Sequence, residues 1–81
     1  MSRNHPSPSK TTAGHMYLSS IQTLIAARTR QGKSQRYVAN FVGVERQAVT
    51  AWESGETIPT LENFLRYCAC LDITVRLQPN E

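Results

Sequence analysis

Apolar residues recur at helical spacing in four stretches of the chain and alternate at strand spacing in a fifth. The first helical stretch starts at Tyr17, and Ser19 or Ser20 can cap it if it begins slightly later. It ends near Gln31 and Gly32, since glycine suits the left-handed residue that follows a helix. The positions that define its inward stripe are Leu18, Ile21, Leu24, Ile25 and Arg28. We therefore expect an amphipathic first helix from about residue 17.

Two short helices are predicted next, joined by a sharp turn. Ser34 is the expected N-cap of a helix over Gln35–Val42, and Gly43 ends it because the turn needs a residue without a Cβ. The third helix runs over Arg46–Ser54, with Glu45 in the capping position, where its charge suits the positive end of the helix dipole. The expected inward side chains are Val38, Ala39, Phe41 and Val42 in the second helix, and Val44, Val49 and Trp52 around the third.

A fourth helix and a strand complete the pattern. Thr60 caps the helix after Pro59, and its buried stripe is expected to be Leu61, Phe64, Leu65, Cys68 and Leu71. The period then changes to two, which predicts a strand with Ile73, Val75 and Leu77 on one face. The organisation we expect is an N-terminal arm over residues 1–16, a helical domain over 17–72 and a strand or tail over 73–81.

The N-terminal arm is rich in Ser and Pro and holds no acidic residue. It cannot bury enough surface to offset its chain entropy, so we expect it to be disordered when free. A floppy leader is the simpler interpretation, and a basic arm that lies along a DNA groove is the alternative.

Length and charge limit the classes of function. A chain of 81 residues forms one small domain, and such a domain buries only about 60% of its unfolded surface, which argues against a large catalytic cleft. The net charge of +3 is compatible with nucleic-acid binding without being diagnostic of it. No apolar run approaches the ~20 residues that span a bilayer, and the N-terminus has no apolar signal region, so we expect a cytoplasmic protein.

The chain offers little for catalysis or metal binding. Cys68 and Cys70 would lie about 200° apart on a helix and could not pair with each other, and two sulfurs fall short of a structural zinc site. We expect reduced, buried or idle thiols, no cofactor and no metal. The folded part holds no histidine, and Glu53, Glu56 and Glu62 are scattered around a linker, so we do not expect an enzyme.

A helix, a Gly-containing turn and a second helix form the helix-turn-helix arrangement, whose second helix enters the major groove of DNA. We expect the recognition helix at about residues 45–54, with Arg46, Gln47 and Thr50 outward at its N-terminal half. Arg can donate two hydrogen bonds to guanine and Gln can pair with adenine, while the Thr50 methyl can touch a thymine. Phosphates would be met around the start of the second helix by Lys33, Ser34, Gln35 and Arg36.

The stretch from about residue 21 to 71 resembles the Cro/phage-repressor (XRE-type) helix-turn-helix family. The resemblance rests on Ser34-Gln35, Val38-Ala39 and Gly43-Val44, then on RQAVTAWESG from Arg46 and IPTLE from Ile58. It implies an all-α, lambda-repressor-like domain of four to five helices. It also implies that Gln35 touches the DNA backbone and supports the recognition helix, and that Arg46, Gln47, Thr50 and Ala51 line the groove. Glu45, which we also place at the DNA backbone, stands where relatives have a Ser or Thr cap, and an acid near phosphates could weaken binding or remove a contact. Ala51 is too short to hydrogen-bond a base.

The predicted C-terminal strand departs from relatives that end in a fifth helix, and it resembles the antitoxin branch of the family. A lone strand is not stable in water, so we expect Ile73, Val75 and Leu77 to pair with the same strand of a second subunit. A frayed tail is the alternative. We therefore expect a homodimeric, sequence-specific repressor that binds a palindromic operator. The alternative is an antitoxin that also holds a toxin protein and regulates its own promoter.

Overall fold

Four α-helices make up the computed structural model, which describes residues 10–79. They are α1 (Lys10–Arg30), α2 (Gln35–Val42), α3 (Arg46–Ser54) and α4 (Leu61–Cys70). α2 packs against both α3 and α4, and α1 packs against α3. The expected all-α helix-turn-helix fold is confirmed.

α1 begins at Lys10 rather than at Tyr17, so Ser19 and Ser20 lie inside the helix and do not cap it. The Ser20 hydroxyl instead donates to the Met16 carbonyl at 2.8 Å. Extending a helix upstream adds one backbone hydrogen bond per residue, and no proline lies between Pro8 and Tyr17 to prevent it. Residues 10–16 of the expected arm are therefore helical, whereas residues 1–9 lie outside the described residues.

The turn between α2 and α3 has the predicted geometry. Ser34 caps α2, its Oγ accepting a hydrogen bond from the Tyr37 amide at 2.9 Å. Gly43 ends α2 at φ 91°, in the left-handed region where a side chain would be strained, and its amide donates to the Ala39 carbonyl. α3 then starts after Glu45, which is extended and makes no side-chain cap hydrogen bond. The helix-turn-helix arrangement follows directly from these local signals.

All four helices contribute apolar side chains to one core. Trp52 of α3 is only 5% exposed, and Tyr67 of α4 is fully buried although its ring carries a hydroxyl. Cys68 and Cys70 are free and buried, and burial raises the pKa of both thiols. The buried set is Ile21, Leu24, Ala27, Val38, Ala39, Val42, Val49, Trp52, Tyr67, Cys68, Cys70 and Leu71.

Four apolar side chains that we expected to face the core lie on the surface instead: Leu18, Phe41, Leu61 and Leu65. In α4 the buried face is centred on Tyr67, Cys68 and Leu71, and Leu61 is 72% exposed. Tyr67 can occupy the inward position because its hydroxyl finds a partner there, as buried tyrosines require. The apolar pattern thus placed the buried face of α4 partly on the wrong side of the helix.

The predicted C-terminal strand is not seen in the described chain, where residues 73–79 have no regular secondary structure. Ile73 packs against the core, whereas Val75 is 43% exposed and Leu77 is 90% exposed. A strand exists only when a neighbour accepts and donates its ladder hydrogen bonds, and no segment within residues 10–79 does so for these residues.

One carboxylate on α3 joins all four helices. Glu53 Oε2 accepts from Arg28 Nε of α1 at 2.8 Å and from the Tyr67 hydroxyl of α4 at 2.5 Å. Glu53 Oε1 accepts from Arg28 Nη2 at 2.9 Å and from Gln35 Nε2 of α2 at 3.0 Å. The Glu53 side chain is 7% exposed and that of Arg28 is 15% exposed. We call these four residues the Glu53 junction.

Removing one hydroxyl from the Glu53 junction tests its energetic weight. We expect Tyr67→Phe to lower the free energy of unfolding by about 1.5–3 kcal/mol, because it deletes a hydrogen bond to a buried carboxylate. Tyr37→Phe is the matched control. The Tyr37 side chain is 50% exposed, so its change should stay within about 0.5 kcal/mol. Urea unfolding measures both, and equal losses would show that the junction contributes nothing beyond the ring.

Candidate nucleic-acid interface

α3 presents two chemically different sides. Val49 and Trp52 are buried in the core, and Arg46, Gln47 and Thr50 are exposed on the opposite side. Ala51, the fourth residue of the predicted reading set, is half-buried. The polar side of α3 is therefore open to solvent along its N-terminal half, where a groove of DNA can reach it.

The exposed side chains of α3 are held by α2. The Thr50 hydroxyl donates to Gln35 Oε1 at 2.7 Å. Arg46 Nη1 donates to Gln35 Oε1 and to Thr50 Oγ1, each at 3.4 Å. We call Gln35, Arg46 and Thr50 the outer cluster. It brings together three of the predicted site residues, whereas the Gln47 side chain takes no part in it.

The start of α2 lies beside the outer cluster and carries the residues that we expected to meet phosphates. Gln35 is half-buried and belongs to both the outer cluster and the Glu53 junction. Ser34 uses its hydroxyl oxygen to cap the helix, and the Arg36 side chain is exposed. Backbone N–H groups in the first turn of a helix favour anions, so this end can take a phosphate next to a base-reading helix.

A sequence model of the helix-turn-helix family matches residues 24–78, which include α2, α3, α4 and the last third of α1. The chain belongs to the helix-turn-helix family. This family, of the Cro/C1 type, consists of DNA-binding regulators rather than enzymes. No curated protein and no solved structure matches the chain.

Lys33 of this helix-turn-helix protein points partly towards the protein itself. Its ammonium donates to the Cys70 carbonyl at the end of α4 at 2.7 Å and lies 5.2 Å from the centre of the Tyr37 ring. Both contacts are structural, and they were not foreseen from the sequence. An ammonium has three donors, so a phosphate contact by Lys33 would share the group with Cys70.

The contacts of Glu45 and of the C-terminal residues do not involve the outer cluster. Glu45 is exposed just before α3 and its carboxylate makes no cap hydrogen bond. Ile73 and Val75 line an apolar groove of about 170 Å³ together with Phe64 and Cys68 of α4. Ile73 and Val75, two of the residues predicted to dimerise, thus lie beside α4 and not beside the exposed polar side of α3.

Glu53 is the residue whose role sequence reasoning missed. We treated it as one of several scattered acids near a linker, whereas it lies inside the domain as the centre of the Glu53 junction. A signal for this was present, because Glu53 follows Val49 by four residues and Trp52 by one, on the inward side of α3. A charged residue on an apolar face predicts a buried, paired charge.

The electrostatics of the junction favour the ionised carboxylate. Burial by itself would raise the pKa of Glu53, but hydrogen bonds from Arg28, Tyr67 and Gln35 and the charge of Arg28 outweigh it, so the pKa lies below its ordinary value. The hydrogen bond to Glu53 raises the pKa of Arg28, and burial together with the neighbouring carboxylate raises that of Tyr67. The junction is therefore an ion pair at neutral pH.

The described residues hold neither a membrane-spanning helix nor a cluster of metal-ligating side chains. Within residues 10–79, no helix is long and apolar enough to cross a membrane. The same residues contain no group of three or more His, Cys, Asp or Glu side chains arranged to hold a metal ion.

The Glu53 junction should make stability depend on acid pH. A carboxylate with a lower pKa in the folded state stabilises it above the unfolded pKa, near 4.3, and the stabilisation is lost as pH falls through the folded value. We expect unfolding free energy to fall steadily below about pH 5 in the natural protein and less steeply in Glu53→Gln. Thermal melts between pH 3 and 7 measure this.

Glu62→Gln is the matched control for the acid series. Among the described residues Glu62 pairs with Arg66 on the same helix, and its side chain is 73% exposed. Such surface pairs contribute little to stability, so this variant should follow the natural protein at every pH. An acid loss that disappears in Glu62→Gln and persists in Glu53→Gln would contradict the assignment.

Proposed function

We propose that this helix-turn-helix protein is a sequence-specific repressor that binds a palindromic operator as a homodimer, with α3 in the major groove. The observation that carries the proposal is the division of α3 into a buried apolar side and an exposed polar side. Val49 and Trp52 anchor the helix, so Arg46, Gln47 and Thr50 are free to meet base edges.

The chemistry of the exposed side suits base reading. The Arg46 guanidinium can donate two parallel hydrogen bonds to guanine, and the Gln47 amide can pair with adenine. The Thr50 methyl and the small Ala51 can approach a thymine methyl. One good bidentate pair gives ~1–3 kcal/mol of discrimination, so two or three contacts per subunit are too few for a selective regulator. Two-fold symmetry doubles them, with half-sites about one turn (~34 Å) apart.

Phosphate contacts belong to the start of α2. The exposed Arg36 side chain and the N–H groups that follow Ser34 are the strongest contributors, with Gln35 beside them. Lys33 adds positive charge nearby, while the Glu45 carboxylate lies before α3 and would repel a close phosphate. These contacts set the position of the protein on DNA and carry no base information.

Dimerisation is supported by the C-terminal segment. Its alternate apolar side chains become more exposed towards the end, from the half-buried Ile73 through Val75 to Leu77 at 90%. Pairing this segment with its copy in a second subunit would cover Val75 and Leu77 and would supply the strand hydrogen bonds that one chain lacks.

An antitoxin is the second candidate function, and an exposed apolar groove favours it. The groove has a volume of about 320 Å³ and is lined by side chains that include Met16, Ile58, Leu61 and Phe64. Met16, Ile58 and Leu61 are each more than 60% exposed, and none of them belongs to the outer cluster. A toxin protein could cover this groove. Co-expression with the products of the flanking genes distinguishes the two functions, since only an antitoxin forms a stoichiometric complex.

Selection from random duplexes, followed by salt titration, tests base reading. We expect a palindrome, with affinity that falls steeply as salt rises because phosphate contacts release counterions. Gln47→Ala should relax base preference at one position in each half-site. Arg36→Ala should weaken all duplexes about equally and reduce the salt slope by about one for each subunit. Failure to enrich any sequence, or identical behaviour of the two variants, would contradict the proposed division of contacts.

A single charge at the C-terminus tests the dimer. We expect Leu77→Glu to convert the protein from dimer to monomer, because it places a charge in an apolar interface. Binding to the full palindrome should weaken by about tenfold or more, while binding to a half-site stays unchanged. Sedimentation and titration measure these effects. Gln78→Glu adds the same charge at the next residue and should stay dimeric, whereas a dimeric Leu77→Glu would exclude this segment as the interface.

A further inference from the structure

The side-chain amide of Gln35 has one possible orientation in this fold. Its inner end meets Glu53 Oε1 at 3.0 Å, and an ionised carboxylate can only accept hydrogen bonds. The amide nitrogen must therefore face Glu53, and the amide oxygen must face outward to the outer cluster. A buried charge on α3 thus decides which polar atom α2 presents at the surface.

The outward oxygen of Gln35 in turn decides how Thr50 and Arg46 are held. The Thr50 hydroxyl donates its proton to this oxygen at 2.7 Å, and Arg46 Nη1 lies 3.4 Å from the same atom. With its proton committed, Thr50 offers a base a methyl group and an acceptor lone pair but no donor. Arg46 Nη1 is hydrogen-bonded within the outer cluster, which leaves Nε and Nη2 of Arg46 to donate to a guanine.

We infer that Glu53 is a positioning residue for base reading: through Gln35 it fixes the hydrogen-bonding state of Thr50 and the placement of Arg46, without touching DNA. The inference rests on the proposed function and deepens it. It assigns the Thr50 position to a thymine methyl and the Arg46 position to a guanine, and it makes both choices depend on a carboxylate that is 7% exposed.

The reversed amide shows why the coupling is strong. If the nitrogen of Gln35 faced outward, that donor would face the donors of the Arg46 guanidinium. The Thr50 proton would then turn to the Arg46 carbonyl, 3.2 Å from Thr50 Oγ1, or to another acceptor. The Arg46 guanidinium would lose its hydrogen bond to Gln35, and Thr50 could donate to a base. Glu53 excludes this second state, so the reading surface of α3 is already ordered before DNA arrives.

A matched pair of double variants separates positioning from simple stability. Arg28→Met/Glu53→Met replaces the ion pair by apolar side chains of similar length, an exchange that buried ion pairs often tolerate. Arg28→Met/Glu53→Gln removes the same charges but keeps an amide oxygen that can accept from Gln35. Both variants lack the charges and the Arg28 contacts, so they differ in whether the side chain at position 53 can hydrogen-bond Gln35 and Tyr67.

Two readouts are measured at pH 7.5 on the full chain. In the free protein, NMR follows the two Nε2 protons of Gln35 and the exchange rate of the Thr50 hydroxyl proton. On DNA, duplex selection gives the preference at each position. Because Gln at position 53 can accept from Gln35 but can also donate to a reversed Gln35, we expect the Glu53→Gln double variant to keep the natural spectrum and preferences more closely than the Glu53→Met double variant. Glu53→Met should speed Thr50 hydroxyl exchange and lower discrimination at the Arg46 and Thr50 positions by about tenfold, leaving the Gln47 position unchanged.

Each outcome bears on the inference. Different spectra and different preferences in the two double variants, with similar melting temperatures, support it. Equal Gln35 spectra and equal preferences would overturn it and leave Glu53 with a structural role alone. If the natural protein selects no duplex, the proposed function fails, and the Gln35 and Thr50 signals still decide whether Glu53 holds the outer cluster. If a double variant fails to fold, Tyr67→Phe/Glu53→Gln takes its place, because it keeps an acceptor at position 53. The NMR signals of its Gln35 Nε2 protons are then compared with those of the natural protein.

Discussion

A single buried carboxylate sets the arrangement of the four helices. Glu53 of α3 receives hydrogen bonds from Arg28 of α1, Gln35 of α2 and Tyr67 of α4. A buried charge is tolerated only when it is paired and hydrogen-bonded, so each of these donors must stay in place. Directional hydrogen bonds also restrict how the helices can slide or rotate, whereas apolar contacts accept several packings. In a domain with a thin core, these hydrogen bonds fix much of the helix arrangement that a larger protein fixes by apolar packing.

The same carboxylate links the core to the exposed polar face of α3. Gln35 lies between Glu53 inside and Thr50 outside, so a contact in the interior reaches the polar face of α3 through one side chain. The turn at Gly43 keeps α2 and α3 adjacent, which lets Gln35 span both clusters. Gln35 therefore takes part both in the buried Glu53 junction and in the outer cluster on the polar face of α3. Regulators with few base contacts gain from such order, because side chains that are already placed lose less conformational entropy on binding.

The surface also carries apolar side chains that base reading leaves unexplained. Met16, Ile58 and Leu61 surround one groove, and Val75 and Leu77 extend from another. The two grooves share Ser20 and Phe64, so they form a continuous apolar region along α1 and α4. Exposed apolar area of this kind marks surfaces that meet another protein. The polar face of α3 and this apolar region thus give the molecule two chemically different surfaces.

The sequence by itself determined the helices whose signals are local. The caps at Ser34 and Thr60 and the left-handed glycine at Gly43 bond to backbone groups within a few residues, so α2 and α3 were predicted at their observed bounds and α4 at its observed start. The exposed placement of Arg46, Gln47 and Thr50 followed from the periodicity that also buries Trp52. The family resemblance pointed to the same face.

Only the tertiary structure decided features that depend on distant partners. The helical pattern of α4 allowed either Leu61 and Leu65 or Tyr67 to face inward, and packing chose Tyr67 because Glu53, 14 residues away, binds its hydroxyl. Arg28 pairs with Glu53 across 25 residues, and Lys33 reaches Cys70 across 37. Periodicity ranks the sides of a helix by apolar content, but a buried polar group is stable only where the whole fold brings its partners together.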